Sequence, residues 1–369
     1  MTTSADTTLT IAPLTIPASL DAADADEFLA FAELNRQICA LDAGRPDIAP
    51  AASEMLPAWL DPTDELSLGF VARRGDETVG MAAVYLAQEK DAKVAVFDLL
   101  VLPENWGSGV EEALLARVEE EARGHGRSSL QTWTLHRADT VAAADPSERM
   151  LVPPTGWGRV PVSPLAGLLE RDGFSLEQVE RNSEFDLRAD PAPLKTMLTR
   201  AVAQAGPDYH QVTWLLPTPP ERREQFAAIL ARIATDVPSG ALEVDEEAWD
   251  AARVERREAQ FAEAGQLVSV AAVVHEPTGT LAAYNELVIG ADRTATTHQF
   301  GTLVHAEHRG HRLGTIVKCA NLLRWRELVP DSPVVSTFNA EENRPMLDIN
   351  EAIGFIPVSY AAAWQKTLR

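Results

Sequence analysis

The sequence predicts an α/β protein of the mixed-sheet, α+β type, arranged as two tandem domains. Three observations predict it. One order of elements occurs twice along the chain. In each copy a β-like run passes through a Gly-containing turn into an amphipathic helix. Each turn is preceded by helical stretches and a hairpin-like pair, so every helix has a sheet to pack on. At 369 residues the chain is also too long for one ordinary core.

The first copy begins with the helical stretch "DADEFLAFAELNRQICAL". The pair "LGFVARRGDETVGMAAVYLA" follows, turning at Arg-Gly-Asp. Its central run "KVAVFDLLVLP" leads through "ENWGSGV" into a helix with Val110, Leu114, Leu115, Val118 and Ala122 on one face. Then come "SSLQTWTL", the helix "SPLAGLLERDGF" and the strand "VERNSEFDL". Residues 138–162, rich in Pro, Gly and Ala, read as a surface loop, with a lid as the alternative. "LRADPAPLK" carries two prolines and reads as the linker. The boundary near Pro191 gives domains 1–190 and 191–369.

The second copy repeats the plan. "PPERREQFAAILARIATDV" is helical, and "LVSVAAVVHEPTGTLAAYNELVI" is the hairpin. "TTHQFGTLVHA" passes through "EHRGHRLG" into a helix with Leu313, Ile316, Val317, Ala320 and Leu323 on one face. "SPVVSTFNA", "RPMLDINEAIGF" and "VSYAAAWQKTL" complete it. A Gly- and Arg-rich turn in that position suits a phosphate. The first amides of a helix lack internal partners and point outward at the positive end of the dipole. The plain alternative is a solvated sheet-to-helix loop.

A net charge of −23 argues against a nucleic-acid partner, whose phosphates need clustered Lys and Arg, and tolerates a cationic amine. Cys39 and Cys319 fit neither a disulfide framework nor a metal spacing, so no metal is expected. "MTTSADTTLT" lacks a basic region followed by an apolar one, and nowhere do about 18 uncharged apolar residues run together. A cytoplasmic monomer with no membrane partner is the expectation. No Ser/His/Asp order, dinucleotide fingerprint or Walker motif occurs.

The spacing of "TLVHAEHRGHRLGTIVKCANL" and "TFNAEENRPMLDINEAIGF" resembles the GNAT superfamily of acyl-CoA N-acyltransferases. The doubled plan resembles its actinobacterial two-domain members, of mycothiol synthase-like architecture. The resemblance is specific in residues 265–369 and carried by pattern alone in 94–187. It implies acetyl-CoA as co-substrate, with the pyrophosphate on backbone amides of Arg309, Gly310, His311, Arg312, Leu313, Gly314 and Thr315. Arg312 stands where the family has a middle glycine. Val304 and His305 would offer backbone amides to the pantetheine arm and to the oxyanion, with Asn339, Asn343 and Met346 as further contacts. Asn343 also suits a helix N-cap.

The implied reaction is direct acetyl transfer to a small-molecule amine or α-amino group. Glu286 is the expected base, with His298 as the other candidate, sharing a strand face with Phe300 and Thr302. For a carboxylate among apolar neighbours the alternative is a salt bridge. The family's acid tyrosine is replaced by Asn350, and Tyr360 on the last strand is the other candidate, with an ordinary sheet tyrosine as the alternative. In the first copy Trp106, Gly109 and Glu111 align with Arg309, Arg312 and Gly314, so that turn reads as degenerate and its domain as scaffold. The alternative function is a catalytically silent acyl-CoA-binding or interaction module.

Overall fold

In a computed structural model, residues 8–143, 147 and 149–369 are described. In chain order the elements are β1 (Leu9–Pro13), α1 (Asp26–Ala43), α2 (Ala52–Leu60), β2 (Glu65–Arg74), β3 (Glu77–Ala87), β4 (Val94–Leu100), α3 (Val110–Gly124) and β5 (Ser129–Arg137). Next come α4 (Ala138–Ala143), β6 (Met150–Leu151), β7 (Val160–Pro161), α5 (Pro164–Arg171), β8 (Ser175–Asp186), α6 (Ala192–Ala205) and β9 (Tyr209–Leu215). Then follow α7 (Arg223–Leu230), α8 (Ile233–Asp236), α9 (Ala251–Glu263), β10 (Leu267–His275), β11 (Thr280–Ile289) and β12 (Thr297–Val304). The chain ends with α10 (Leu313–Leu328), β13 (Val334–Ala340), α11 (Arg344–Ile353) and β14 (Ile356–Thr367).

These elements form two compact units that do not divide at one point. The first takes residues to Val179, Gly240–Asp245 and Ser359–Arg369; the second takes Glu180–Ser239 and Glu246–Val358. Strand β14 from Ser359, expected in the second domain, therefore completes the first unit's sheet. It pairs antiparallel with β5, and the Trp364 indole donates to Thr134 Oγ1 at 3.1 Å. Residues of β8 from Glu180, expected in the first domain, pair with β13 in the second unit.

The first unit's sheet runs β1-β2-β3-β4-β5-β14. One face buries Phe97, Leu114, Leu169 and Trp364, and the predicted α3 stripe is buried there. The other buries Phe28, Phe31, Trp59 and Val71 under α1 and α2. Helix α1 starts with Asp26 and Glu27 at the positive end of its dipole and stops at Gly44, φ 70°, whose N–H returns to the Ala40 carbonyl while the Arg45 N–H returns to that of Cys39. Residues 138–162, expected as a loop, hold α4 and the short pair β6–β7; residues 144–146 and 148 of that stretch lie outside the described ones, as do residues 1–7 of the N-terminal segment.

The second unit's sheet runs β8-β13-β12-β11-β10-β9. Helices α6 and α10 cover one face, through Ala201, Leu313, Ile316 and Val317; α7 and α9 cover the other, through Phe226, Ile229 and Val254. Parallel strands β12 and β13 pair only at Thr297–Val335 and His298–Ser336 and then part.

Inside this unit Lys318 of α10 is fully buried, its Nζ has no hydrogen-bond partner, and it lies 5.9 Å from the Phe355 ring. Burial pushes its amine down to about 7. The folded value lies below the unfolded one, so the destabilising charge is fully present below about pH 7 and is relieved as the pH rises toward the ordinary lysine value. Lys318→Met is expected to raise stability at pH 7 by a few kcal/mol, on the order of the shift's free-energy equivalent, and to flatten the rise in stability between pH 7 and 10. Urea unfolding at several pH values checks both.

Candidate functional site

Where β12 leaves β13, the second unit has a cavity of about 860 Å³, the size of a small-molecule site. Its wall contains Thr302, Leu303 and Val304 of β12, the turn residues Arg309, Gly310, Arg312, Leu313, Gly314 and Thr315, and Asn343 and Met346 at the start of α11. These include most of the cofactor residues expected from the sequence. His305 and His311 are not in the wall, and neither is Asn339.

The turn leaves its backbone open. Gly310 has φ 90° and nothing within 4 Å of where a Cβ would be, so its backbone is open to close approach. The first α-helical bond of α10 runs from the Ile316 N–H to the Arg312 carbonyl. The amides ahead of it therefore have no helical partner. Arg309 steadies the turn by donating from Nε to the Val304 carbonyl at 3.4 Å and from Nη2 to the Asp236 carbonyl at 3.3 Å. Gly314 packs against α11: a Cβ there would lie 3.0 Å from Ile349 Cδ1.

Arg312, which stands where the sequence resemblance expects a glycine, is left-handed. It is the N-cap of α10 with φ 59°, a position that favours glycine, and among the described residues no other non-glycine has positive φ. Its counterpart Gly109 is the N-cap of α3 with φ 84°, and Gly107 and Gly310 match likewise at 74° and 90°. The two copies thus share their turn geometry. Arg312→Gly is expected to stabilise the fold by up to about 1 kcal/mol by relieving the left-handed backbone, read by urea unfolding; a loss of stability would contradict this account.

The first unit fills its own turn. The Trp106 indole donates to the Val101 carbonyl at 2.9 Å, the counterpart of Arg309 on Val304. The Gly107 N–H donates to Glu111 Oε1 at 2.5 Å, and Glu111 is buried. A side-chain carboxylate occupies the place that the second turn leaves open.

The backbone of β12 also differs from expectation. Asn285 pairs with Thr302 and Leu287 with Gln299, which inserts a bulge at Phe300–Gly301. Thr302 therefore turns to the α10 side, accepting from Asn285 Nδ2 at 2.8 Å, whereas Phe300 meets Phe261 of α9 and His298 sits opposite Val288, on the α9 side. The expected common face of His298, Phe300 and Thr302 is broken. The His305 N–H donates to the Ala282 carbonyl at 2.9 Å and so is not an oxyanion donor. In that register Val304–Ala283 is a non-hydrogen-bonded pair, so the Val304 N–H points away from β11 into the gap.

Three expected catalytic residues are placed otherwise by the structure. Glu286 is 1 % exposed and holds Arg257 bidentately at 2.8 and 2.9 Å, with the guanidinium 4.8 Å from the Phe261 ring. It is the salt-bridged alternative and not a free base, because a carboxylate buried this deeply is stable only when paired. Asn350 is 1 % exposed, donates to Asn339 Oδ1 at 2.7 Å and lies outside the cavity wall. Tyr360 belongs to the first unit, opposite His136 and against that unit's core. Asn343 is the N-cap of α11, but its side chain makes no capping bond, which leaves it for the cavity.

Sequence reasoning missed the α6 wall: Met197, Arg200, Ala201 and Gln204. Their i, i+3, i+4, i+7 spacing put them on one helix face, and Arg200 adds a third arginine to the wall beside Arg309 and Arg312. Arg257→Met is expected to cost about 3–5 kcal/mol, since it strands Glu286 without its partner. Chemical denaturation measures it.

Among known proteins, the Acetyltransferase (GNAT) family model matches residues 35–144. That stretch lies in the first copy, where the sequence resemblance rests on pattern alone. A tandem GNAT protein from the clavulanic acid biosynthesis pathway is 26% identical, with a TM-score of 0.70 over 98% of both chains. A GCN5-related N-acetyltransferase from Sphaerobacter thermophilus is 15% identical, with a TM-score of 0.58 over 98% of this chain and 96% of its own, and shares the fold. No curated protein matches the chain by sequence.

Proposed function

We infer the reaction from what the chain is, a member of the GNAT acetyltransferase family that carries the family's fold in tandem. The family reaction is acyl transfer. In the reading offered here, the second unit takes acetyl-CoA, holds its pyrophosphate on the 309–315 turn and its arm along residues 302–304, and passes the acetyl group to a small-molecule amine. The observation that carries this is the coincidence of the open turn, the parted strands and the cavity on one set of residues. The residues fit the cofactor: the helix start gives unpaired amides, and Arg200, Arg309 and Arg312 stand by the turn in a wall that also holds Asp236, Glu342 and Asp348.

Bound acetyl-CoA would supply the activated thioester. The Val304 N–H stands on the cavity wall for the oxyanion that forms there, and Gly310 lets the backbone approach phosphate. His298 is half-buried on the α9 side of β12 and remains the candidate for taking the amine's proton. The first unit, whose turn is closed by Trp106 and Glu111, acts as scaffold.

The second reading, a silent acyl-CoA-binding module, is favoured by the pairing of Glu286 with Arg257 and by an asparagine in the place of the family's acid tyrosine. Calorimetric titration with acetyl-CoA is expected to give one site per chain. Gly314→Glu, which brings a carboxylate into the turn beside Ile349, should abolish binding; two equivalents, or unchanged affinity in the variant, would overturn the assignment. Free-thiol release across an amine panel separates the readings, since the silent module binds without accelerating release.

A further inference from the structure

Tyr284 is fully buried, yet its hydroxyl has no hydrogen-bond partner. A phenylalanine would pack there without that penalty, so the oxygen itself calls for an explanation. Its position supplies one. Tyr284 pairs with Leu303 across β11 and β12, and its ring leans diagonally over Gly301: a Cβ on Gly301 would lie 2.1 Å from the hydroxyl oxygen and 2.8 Å from Cζ. The glycine is what lets the hydroxyl stand over β12. Gly301 is part of the bulge, on the stretch of β12 that has left β13, and its neighbour Thr302 lines the cavity. From the turn, the wall follows β12 backward through Val304 and Leu303 to Thr302 and ends one residue short of Gly301; Tyr284 lies behind it. A ligand whose phosphates sit on the turn and whose arm follows β12 would run its far end, the thioester, toward Gly301, on which the hydroxyl rests.

We propose that the Tyr284 hydroxyl donates a hydrogen bond to the carbonyl oxygen of the bound thioester, stabilising the oxyanion together with the Val304 N–H. The proposal rests on the reading that this cavity takes an acyl-CoA. In the step served, the amine lone pair forms the C–N bond and the carbonyl π pair moves onto oxygen. That pair returns as the C–S bond breaks, and the proton shed by nitrogen ends on the leaving sulfur. Tyr284 neither gains nor loses a proton. Burial, and secondarily Glu286, push its phenol well above the ordinary tyrosine range, so it stays a donor throughout. The Tyr284 ring packs edge-on against Phe226, with centroids 5.6 Å apart, which fixes the donor in place.

Tyr284→Phe removes one oxygen from a packed ring. Thermal stability is expected to stay equal or rise, acetyl-CoA affinity to change less than about twofold, and turnover with a competent amine to fall on the order of 10²-fold. The carbonyl stretch of bound, carbonyl-13C-labelled acetyl-CoA should move to higher wavenumber in the variant, because a polarising hydrogen bond is gone. The infrared measurement needs no acceptor. If the wild-type protein does not bind acetyl-CoA, the reading of the cavity fails and this assignment fails with it. If it binds and the carbonyl band is the same in both proteins, or turnover is unchanged, the assignment to Tyr284 alone is overturned.

Discussion

The parting of β12 from β13 after two paired residues is the constraint on which the second unit depends. A parallel pair is held by evenly spaced backbone bonds, and giving them up leaves amides and carbonyls that need water or a ligand. The sheet survives because β12 keeps β11 on its other edge, from Val288–His298 to Ala283–Val304. Helix α10 anchors that side through Asn321, which donates to the Asn285 side chain and to the Ser269 and Asn285 carbonyls at 2.9–3.1 Å. The open edge is therefore carried by a rigid neighbour, and a cavity can form without loosening the core.

The first unit makes the same opening and closes it differently. Its parallel pair β4–β5 also parts early, after Val96–Gln131. There the turn is satisfied from within, by the Trp106 indole and the Glu111 carboxylate. One backbone plan thus has two states: the first spends its turn on its own stability, and the second leaves amides open and accepts a left-handed arginine at 312. Since Gly107 and Gly310 are both left-handed, as are Gly109 and Arg312, the difference between the units lies in side chains and not in fold.

That difference explains what the sequence could and could not tell. The strand-turn-helix spacing and the apolar faces of α3 and α10 were legible, because each is set by residues within a few positions of one another. The exchange of β14 and of the later part of β8 between units was not, since it is decided by pairing between segments far apart in the chain. Glu286 looked available because its partner Arg257 lies 29 residues away on another element. Tyr360 looked close to the second turn for the same reason. The bulge at Phe300–Gly301 shifted the face of every later residue of β12, and period-two reasoning does not see an inserted residue.

The face of β11 that looks toward α9 gathers the groups that an apolar core would not choose. Glu286 and Tyr284 are successive residues on it, the first locked to Arg257 and the second without a partner, and both stand beside the bulge. Paired and unpaired polar groups have opposite meanings in such a place. The ion pair is complete and fixes α9 to the strand; removing either half would strand a charge. The lone hydroxyl is incomplete, and the protein has kept a glycine at 301 to make room for it. That exclusion of side-chain bulk holds an unsatisfied donor one residue behind the cavity wall at Thr302. The pairing of Glu286 leaves its carboxylate no free lone pair to offer the cavity, so of the two polar groups on this face only the hydroxyl is uncommitted.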